Sequence, residues 1–194
     1  EVNLSALDQV VAIGGVADNS LLQMNFENVD YSRLGGSVIV VGSAGANTIT
    51  GATPGGSQLT GIGNDDIIEG AGGQDTINSG AGNDIVRMLV TAGSVDVIDA
   101  GAGTDTLELM GVVTGTGVVV VDLSAADQVV SIGGAADTLV QKNFEIVSGA
   151  GLGSSIDVIG SSGTNVLTGS NGNDILRGGG GADTLTGSGG SDDF

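Results

Sequence analysis

A chain of 194 residues with 38 Gly, one Pro and 2% aromatic residues cannot build its core around large rings, yet at 40% hydrophobic residues it is too apolar for a disordered tail. A net charge of −19, from 23 acidic against 4 basic residues, repels phosphate and so argues against nucleic acid as a partner, and it disfavours anionic membrane surfaces. The absence of Cys and His excludes disulfides, thiolate chemistry, zinc sites and every His-dependent catalytic scheme. The acidic residues are 18 Asp against 5 Glu. A solvated surface has no reason for that bias, whereas a hard cation held in tight turns favours a short carboxylate beside backbone carbonyls. No apolar run approaches the ~18 residues of a membrane span, so no transmembrane segment is expected. No signal peptide opens the chain, and Glu1 in place of an initiator Met suggests a piece of something longer.

The first stretch, VNLSALDQVVAIGGVADNSLLQMNFENV from Val2, carries Asp8, expected as a turn or cap residue, and Phe26, expected as a core plug. The run Val38 to Val41 is expected as a buried strand. Asn47 then stands where later repeats carry Asp. From residue 61 to 87 a nine-residue step emerges. Asp66, Asp75 and Asp84 keep it, with Gly63, Gly73 and Gly82 before them and Ile68, Ile77 and Val86 two residues after each Asp. Asp65 competes with Asp66 for the first place in this series. Asp96 and Asp105 form a further pair, with Gly103 before the second and with Ile98 and Leu107 following.

From Val121 the opening stretch recurs as VDLSAADQVVSIGGAADTLVQKNFEIV, one residue shorter, so Asp127 and Phe144 match Asp8 and Phe26. The match continues from Leu152, with Asn165 in the place of Asn47. The chain closes on a second nine-residue block, 169 to 194. There Asp174, Asp183 and Asp192 are preceded by Gly172, Gly179, Gly181 and Gly190 and followed by Leu176, Leu185 and Phe194. The expected organisation is two tandem units, 1–90 and 118–194, joined by variable connecting coils over 91–117.

These residues resemble the nonapeptide G-G-x-G-x-D-x-U-x of repeats-in-toxin (RTX) proteins, where U is a large aliphatic. The resemblance implies an all-β fold, a right-handed parallel β-helix or β-roll solenoid with calcium in the turns. It implies calcium as the ligand of the Asp and Gly residues named above, from Gly63 to Asp105 and from Asn165 to Asp192. The physical reading agrees. Each nonapeptide is half a coil, six residues of turn and three of strand, so turns on one side are related by i and i+18. Asp66 should stack over Asp84, Asn165 over Asp183 and Asp174 over Asp192, about one strand spacing of ~4.8 Å apart, close enough to share an ion. At roughly 18 residues per coil the stack would hold about ten coils and reach about 50 Å.

Function follows as an expectation. The few aromatics, four basic residues and missing His argue against an enzyme. A calcium-stabilised structural module of a secreted, cell-surface protein fits better: an S-layer, adhesin or filament component that folds on meeting calcium outside the cell. Its partners would be calcium ions and either further copies of itself or flanking domains of the same protein. The resemblance implies type I secretion. The alternative is a calcium-dependent C-terminal secretion and folding module of a type I secreted enzyme or toxin.

Overall fold

A computed structural model of the chain describes residues 2–3, 12–13, 16–17, 27–33, 35–90, 96–113 and 117–194. Among them all regular structure is β, and there is no helix. Glycine-rich turns recur too closely for a helix to nucleate between them. The residues left between turns alternate outward, inward, outward, as a strand of three residues requires.

Eight parallel strands form the largest sheet, in the order Asn28–Asp30, Thr48–Thr50, Ile67–Glu69, Ile85–Leu89, Thr106–Gly111, Ile146–Leu152, Val166–Thr168, Thr184–Thr186. A second parallel sheet stacks Val2–Asn3, Ile39–Val41, Gln58–Gly63, Thr76–Ala81, Val97–Asp99 and Gln141–Lys142. The chain alternates between the two, so each strand pairs with the one a full turn away. Thr48 lies beside Ile67, Ile67 beside Ile85, and Ile85 beside Thr106. This is a β-solenoid of about eight turns.

The regular winding is interrupted after the fifth strand of the largest sheet. After Thr106–Gly111 the chain makes Val119–Asp122, folds back antiparallel through Val129–Ile132 and Ala135–Ala136, and rejoins the stack at Gln141–Lys142. Val119–Asp122 then becomes the base for Ile156–Ile159 and Ile175–Arg177, which continue the second side of the solenoid. The duplicated sequence repeats this pairing. Val2 lies beside Val40 as Val121 lies beside Val158. Ala12 and Ile13 pair with Ala17 and Val16 as Ser131 and Ile132 pair with Ala136 and Ala135.

The core is a ladder of single inward residues. Ile49, Ile68, Val86, Leu107, Val147 and Leu167 line one side; Val40, Leu59, Ile77 and Ile98 line the other, all at most 1% exposed. The expected inward places at Ile68, Ile77, Val86, Ile98, Leu107 and Leu176 are thus occupied. Leu185 is only partly buried in the last turn, and Phe194 lies at the surface. Val40 of the run Val38 to Val41 is buried, as are Val119 and Val121 of the similar run Val118 to Val121. Phe144 plugs the core beneath the hairpin, where its N–H donates to Gln128 Oε1 and its carbonyl accepts from Gln128 Nε2. Asp122 caps a turn by accepting from Ser124 N and Oγ. Asp8 and Phe26 lie outside the described residues.

Eight strands at ~4.8 Å span about 34 Å from first to last, shorter than the ten coils and 50 Å expected from length alone. The hairpin excursion accounts for part of the difference, because Val129–Ile132 and Ala135–Ala136 extend the chain without adding a regular turn.

Candidate metal-binding turns

Every strand of the largest sheet between Thr48–Thr50 and Thr184–Thr186 is preceded by a residue of one acidic or amide series: Asn47, Asp66, Asp84, Asp105, Glu145, Asn165 and Asp183. The side chain of each turn reaches back to the turn before it. Asp66 Oδ1 accepts from Asn47 N at 2.7 Å, Asp84 Oδ1 from Asp66 N at 2.8 Å, and Asp105 Oδ1 from Asp84 N at 2.8 Å. Glu145 Oε2 then accepts from Asp105 N at 2.9 Å, and Asp183 Oδ1 from Asn165 N at 3.0 Å. A second series runs along the other side. Asp75 Oδ1 accepts from Ser57 N, Asp96 Oδ1 from Asp75 N, Asp174 Oδ1 from Ile156 N, and Asp192 Oδ1 from Asp174 N. The three stacks expected from the 18-residue relation are therefore present as direct hydrogen bonds. Asp66, Asp75, Asp84, Asp96, Asp105, Asn165 and Asp174 are all at most 2% exposed. Asp183 and Asp192, in the last turns, are half-buried.

Backbone shape fixes which Asp belongs to the series. Four and two residues before Asp84, Gly80 and Gly82 have φ of 108° and 152°. The same two places before Asp183 are Gly179 and Gly181, at 87° and 100°. Before Asp66 they are Ile62 and Asn64, at 98° and 61°. Asp66 is thus in register with Asp84 and Asp183, and Asp65 falls one place earlier. Asp65 lies on the exposed rim, where its Oδ1 accepts from Asn83 N, as Asn83 Oδ1 does from Thr104 N and Asn173 Oδ1 from Ser191 N. Of this outer ladder only Asp65 stands out in the sequence, as a rival to Asp66; Asn83 and Asn173 do not.

Two further groups escape the nine-residue count. Glu145 carries the inner ladder across the hairpin excursion. It stands 40 residues from Asp105, and only its recurrence with Glu27 in the duplicated Asn-Phe-Glu marks it. The glycine five residues before Asp66, Asp75, Asp174, Asp183 and Asp192 faces the carboxylate itself, whereas Asp84 and Asp105 have Ser79 and Ala100 at that place. A Cβ on Gly61, Gly70, Gly169, Gly178 or Gly187 would collide with Oδ2 of Asp66, Asp75, Asp174, Asp183 or Asp192. Gly63, by contrast, has room, with Ala81 O at 3.6 Å from the place of its Cβ.

At Asp66, Asp75, Asp84 and Asp105 one carboxylate oxygen is therefore engaged in holding the neighbouring turn and the other faces whatever the turn encloses, whereas at Asp174 the second oxygen accepts from Ser170 N at 2.7 Å. Oδ2 of Asp66, Asp75, Asp84 and Asp105 is buried without a hydrogen-bond partner. An orphaned buried carboxylate oxygen is costly, on the order of 1–3 kcal/mol or more when charged. Among the described residues no three carboxylates converge on one point. The donors on offer are thus one or two Asp oxygens with backbone carbonyls, an all-oxygen set that suits calcium. These residues fit a calcium ion. Asp66, Asp75, Asp84 and Asp105 would each hold an ion of their own turn through Oδ2.

Burial raises the carboxyls of Asp66, Asp75 and Asp105 to about 6 and that of Asp96 to about 7, with neighbouring Asp charges adding at Asp66, Asp96 and Asp105. Burial raises Asp84 in the same direction. A folded pKa above the unfolded value gives stability that is full below about pH 4 and is lost as the pH rises through about 6 to 7. In chelator the fold should therefore gain stability on acidification from about pH 7.5 to about pH 4.5. In calcium the trend reverses, because protons compete with the ion and affinity falls as the pH drops through 7 to 6. Thermal unfolding across pH with and without chelator measures both; metal-free stability that increases with pH would contradict the orphaned carboxylates.

Comparison with known families agrees with this geometry. Residues 59–87, 90–109 and 159–194 match the RTX calcium-binding nonapeptide repeat, in 4 copies. These three stretches are accordingly RTX repeats, whose β-solenoid turns belong to a calcium-binding class. No curated protein and no solved structure matches it. RTX repeat domains are typically structural and typical of secreted proteins. Among the described residues no helix is long and apolar enough to cross a membrane.

Proposed function

We propose that this chain is a calcium-stabilised structural module of an extracellular, cell-surface protein such as an S-layer, adhesin or filament, and that it folds on binding calcium after secretion. The observation that carries the reading is the line of buried, partnerless Oδ2 atoms at Asp66, Asp75, Asp84 and Asp105. A core one aliphatic residue wide, wound with 38 Gly whose ordering is entropically costly, needs a further stabilising term. Ions bound only to the folded turns supply it by mass action. Extracellular calcium modules bind at ~10⁻⁴–10⁻³ M, which separates a calcium-poor cytosol from the outside.

Asp66, Asp75, Asp84, Asp96, Asp105, Asp174, Asp183 and Asp192 act as the carboxylate ligands in this reading, with Asp65 outside the set. The duplication favours a load-bearing module over an enzyme, since two tandem units, 1–90 and 118–194, lengthen a rod. Calcium titration followed by far-UV circular dichroism tests the reading. A β spectrum that appears with calcium and collapses on chelation is expected, and a spectrum indifferent to both would refute it.

A further inference from the structure

Where the hairpin rejoins the stack, the inward ladder of the second sheet changes character. Leu59 lies beside Ile77, Ile77 beside Ile98, and Ile98 beside Gln141. Gln141 thus takes an inward place that the preceding turns give to an aliphatic residue, and it is 0% exposed. Its Nε2 donates to the carbonyl of Asp96. A carbonyl can only accept, so this contact fixes which way the amide points and leaves Oε1 as its other end. That Oε1 is buried without a hydrogen-bond partner, a costly state for an amide oxygen.

Carboxylates from both feet of the hairpin flank that amide. Asp127 stands before Val129–Ile132, and its Oδ1 accepts from Gln141 N at 3.2 Å. Asp137 follows Ala135–Ala136; its Oδ1 accepts from Leu139 N at 3.0 Å, and its Oδ2 is buried without a partner. The charges reach one another and the amide. Burial raises the Asp137 carboxyl, the charge of Asp127 adds to the rise, and the nearby Gln141 side chain opposes it. Asp137 in turn adds to the rise that burial causes at Asp96. The adjacent base gives no relief, because Lys142 is committed to Asp99 at 2.8 Å. Two orphaned acceptor oxygens among like charges lack a cation. The cluster lies off the nine-residue step, yet the sequence keeps all three of its members in the first unit. Asp8, Asp18 and Gln23 match Asp127, Asp137 and Gln141, with the single deleted residue falling between the second and third. Those three lie outside the described residues.

We infer that Asp137 Oδ2 and Gln141 Oε1 are ligands of a further divalent cation, calcium by the chemistry of its oxygen donors, held at the foot of the hairpin and outside the nonapeptide turns. Three carboxylates do not converge on one point here, so the amide oxygen is a necessary member of the set, with Asp127 and Asp96 supplying negative charge around it. Carboxylate, side-chain amide carbonyl and water are all accepted in a calcium shell. The two ligands come from the end of the hairpin and from the strand that returns to the stack. An ion between them therefore ties the excursion, which has no coil of its own, onto the solenoid. The inference rests on the calcium-folded reading only for the choice of ion.

Equilibrium dialysis of the whole chain against saturating calcium, followed by metal analysis, counts the bound ions, and circular dichroism verifies that each variant keeps the wild-type β spectrum. Asp137→Asn retains an acceptor for Leu139 N and removes the charge; Gln141→Leu continues the aliphatic ladder and removes Oε1. Each should bind one ion fewer per chain than the wild type. A crystal structure of the wild type grown in calcium needs no variant: an ion should stand ~2.3–2.6 Å from both Asp137 Oδ2 and Gln141 Oε1. An unchanged ion count in either folded variant, or a wild-type crystal with calcium in the nonapeptide turns and none between these two oxygens, would overturn this site alone. A wild-type chain that binds no calcium would overturn the reading of the turns along with it.

Discussion

Replacing Asp84 by Ala should weaken the solenoid more than any other single ladder change, and replacing it by Asn should separate the two reasons. Asp84 sits in the middle of the inner series: its Oδ1 accepts from Asp66 N, its own N donates to Asp105 Oδ1, and its Oδ2 is buried without a partner. Ala deletes both oxygens. The stranded Asp66 N–H costs about 1–3 kcal/mol. Loss of one ion present at a hundred times its Kd removes about 2.7 kcal/mol more in calcium. Asn retains an acceptor for Asp66 N, as Asn47 and Asn165 already do in their own turns, accepting from Ser43 N and Ser161 N. Asp84→Asn should therefore forfeit only the ion term in calcium, and in chelator it should match or exceed the wild type, because it removes a buried carboxylate. Denaturant unfolding of both variants in calcium, and circular dichroism of both in chelator on acidification, give the comparisons needed. Equal stability of Asp84→Asn and wild type in calcium would show that this turn holds no ion.

Gly61→Ala should destabilise by about 3 kcal/mol, the upper part of the range for overpacking a close-packed interior. The collision is with Asp66 Oδ2 on one side and the carbonyl of Ser79 in the next turn on the other. Neither can retreat: one is held by the ladder, the other is backbone. Gly63→Ala, two residues away, meets only Ala81 O at 3.6 Å and should stay within about 0.5 kcal/mol. Thermal unfolding of the pair in calcium checks the contrast, and equal effects would mean that the glycine requirement is one of backbone freedom and not of volume.

That contrast shows where the sequence was legible. The nine-residue step exposed the turns, the inward aliphatic ladder and the stacks of Asp66 on Asp84 and Asp174 on Asp192, because each half-coil has one place for each residue type. Position within the turn was harder. Alignment across the duplication sets Asp65 opposite Asp174, and only the positive φ of Ile62 and Asn64 moves the register to Asp66. Gly61 reads as one more turn glycine, since a linear pattern cannot tell a residue that must bend from one that must be small. Glu145 was hidden for a different reason. The ladder crosses a 40-residue excursion there, so periodicity is silent and a longer side chain makes the reach. Burial was also beyond the pattern: an Asp every nine residues suggests a solvated acidic edge, yet Asp84 is 0% exposed.

Hydrogen exchange of the intact chain in calcium and in chelator tests the central claim most directly, because the claim concerns particular amides. The N–H groups of Asn47, Asp66, Asp75, Asp84 and Asp105, each donated to a carboxylate of the following turn, should be strongly protected in calcium and exchange freely at neutral pH once the ion is removed. Protection of these amides that persists unchanged in chelator would show that aliphatic packing alone holds the solenoid, and would contradict calcium as the element that folds it.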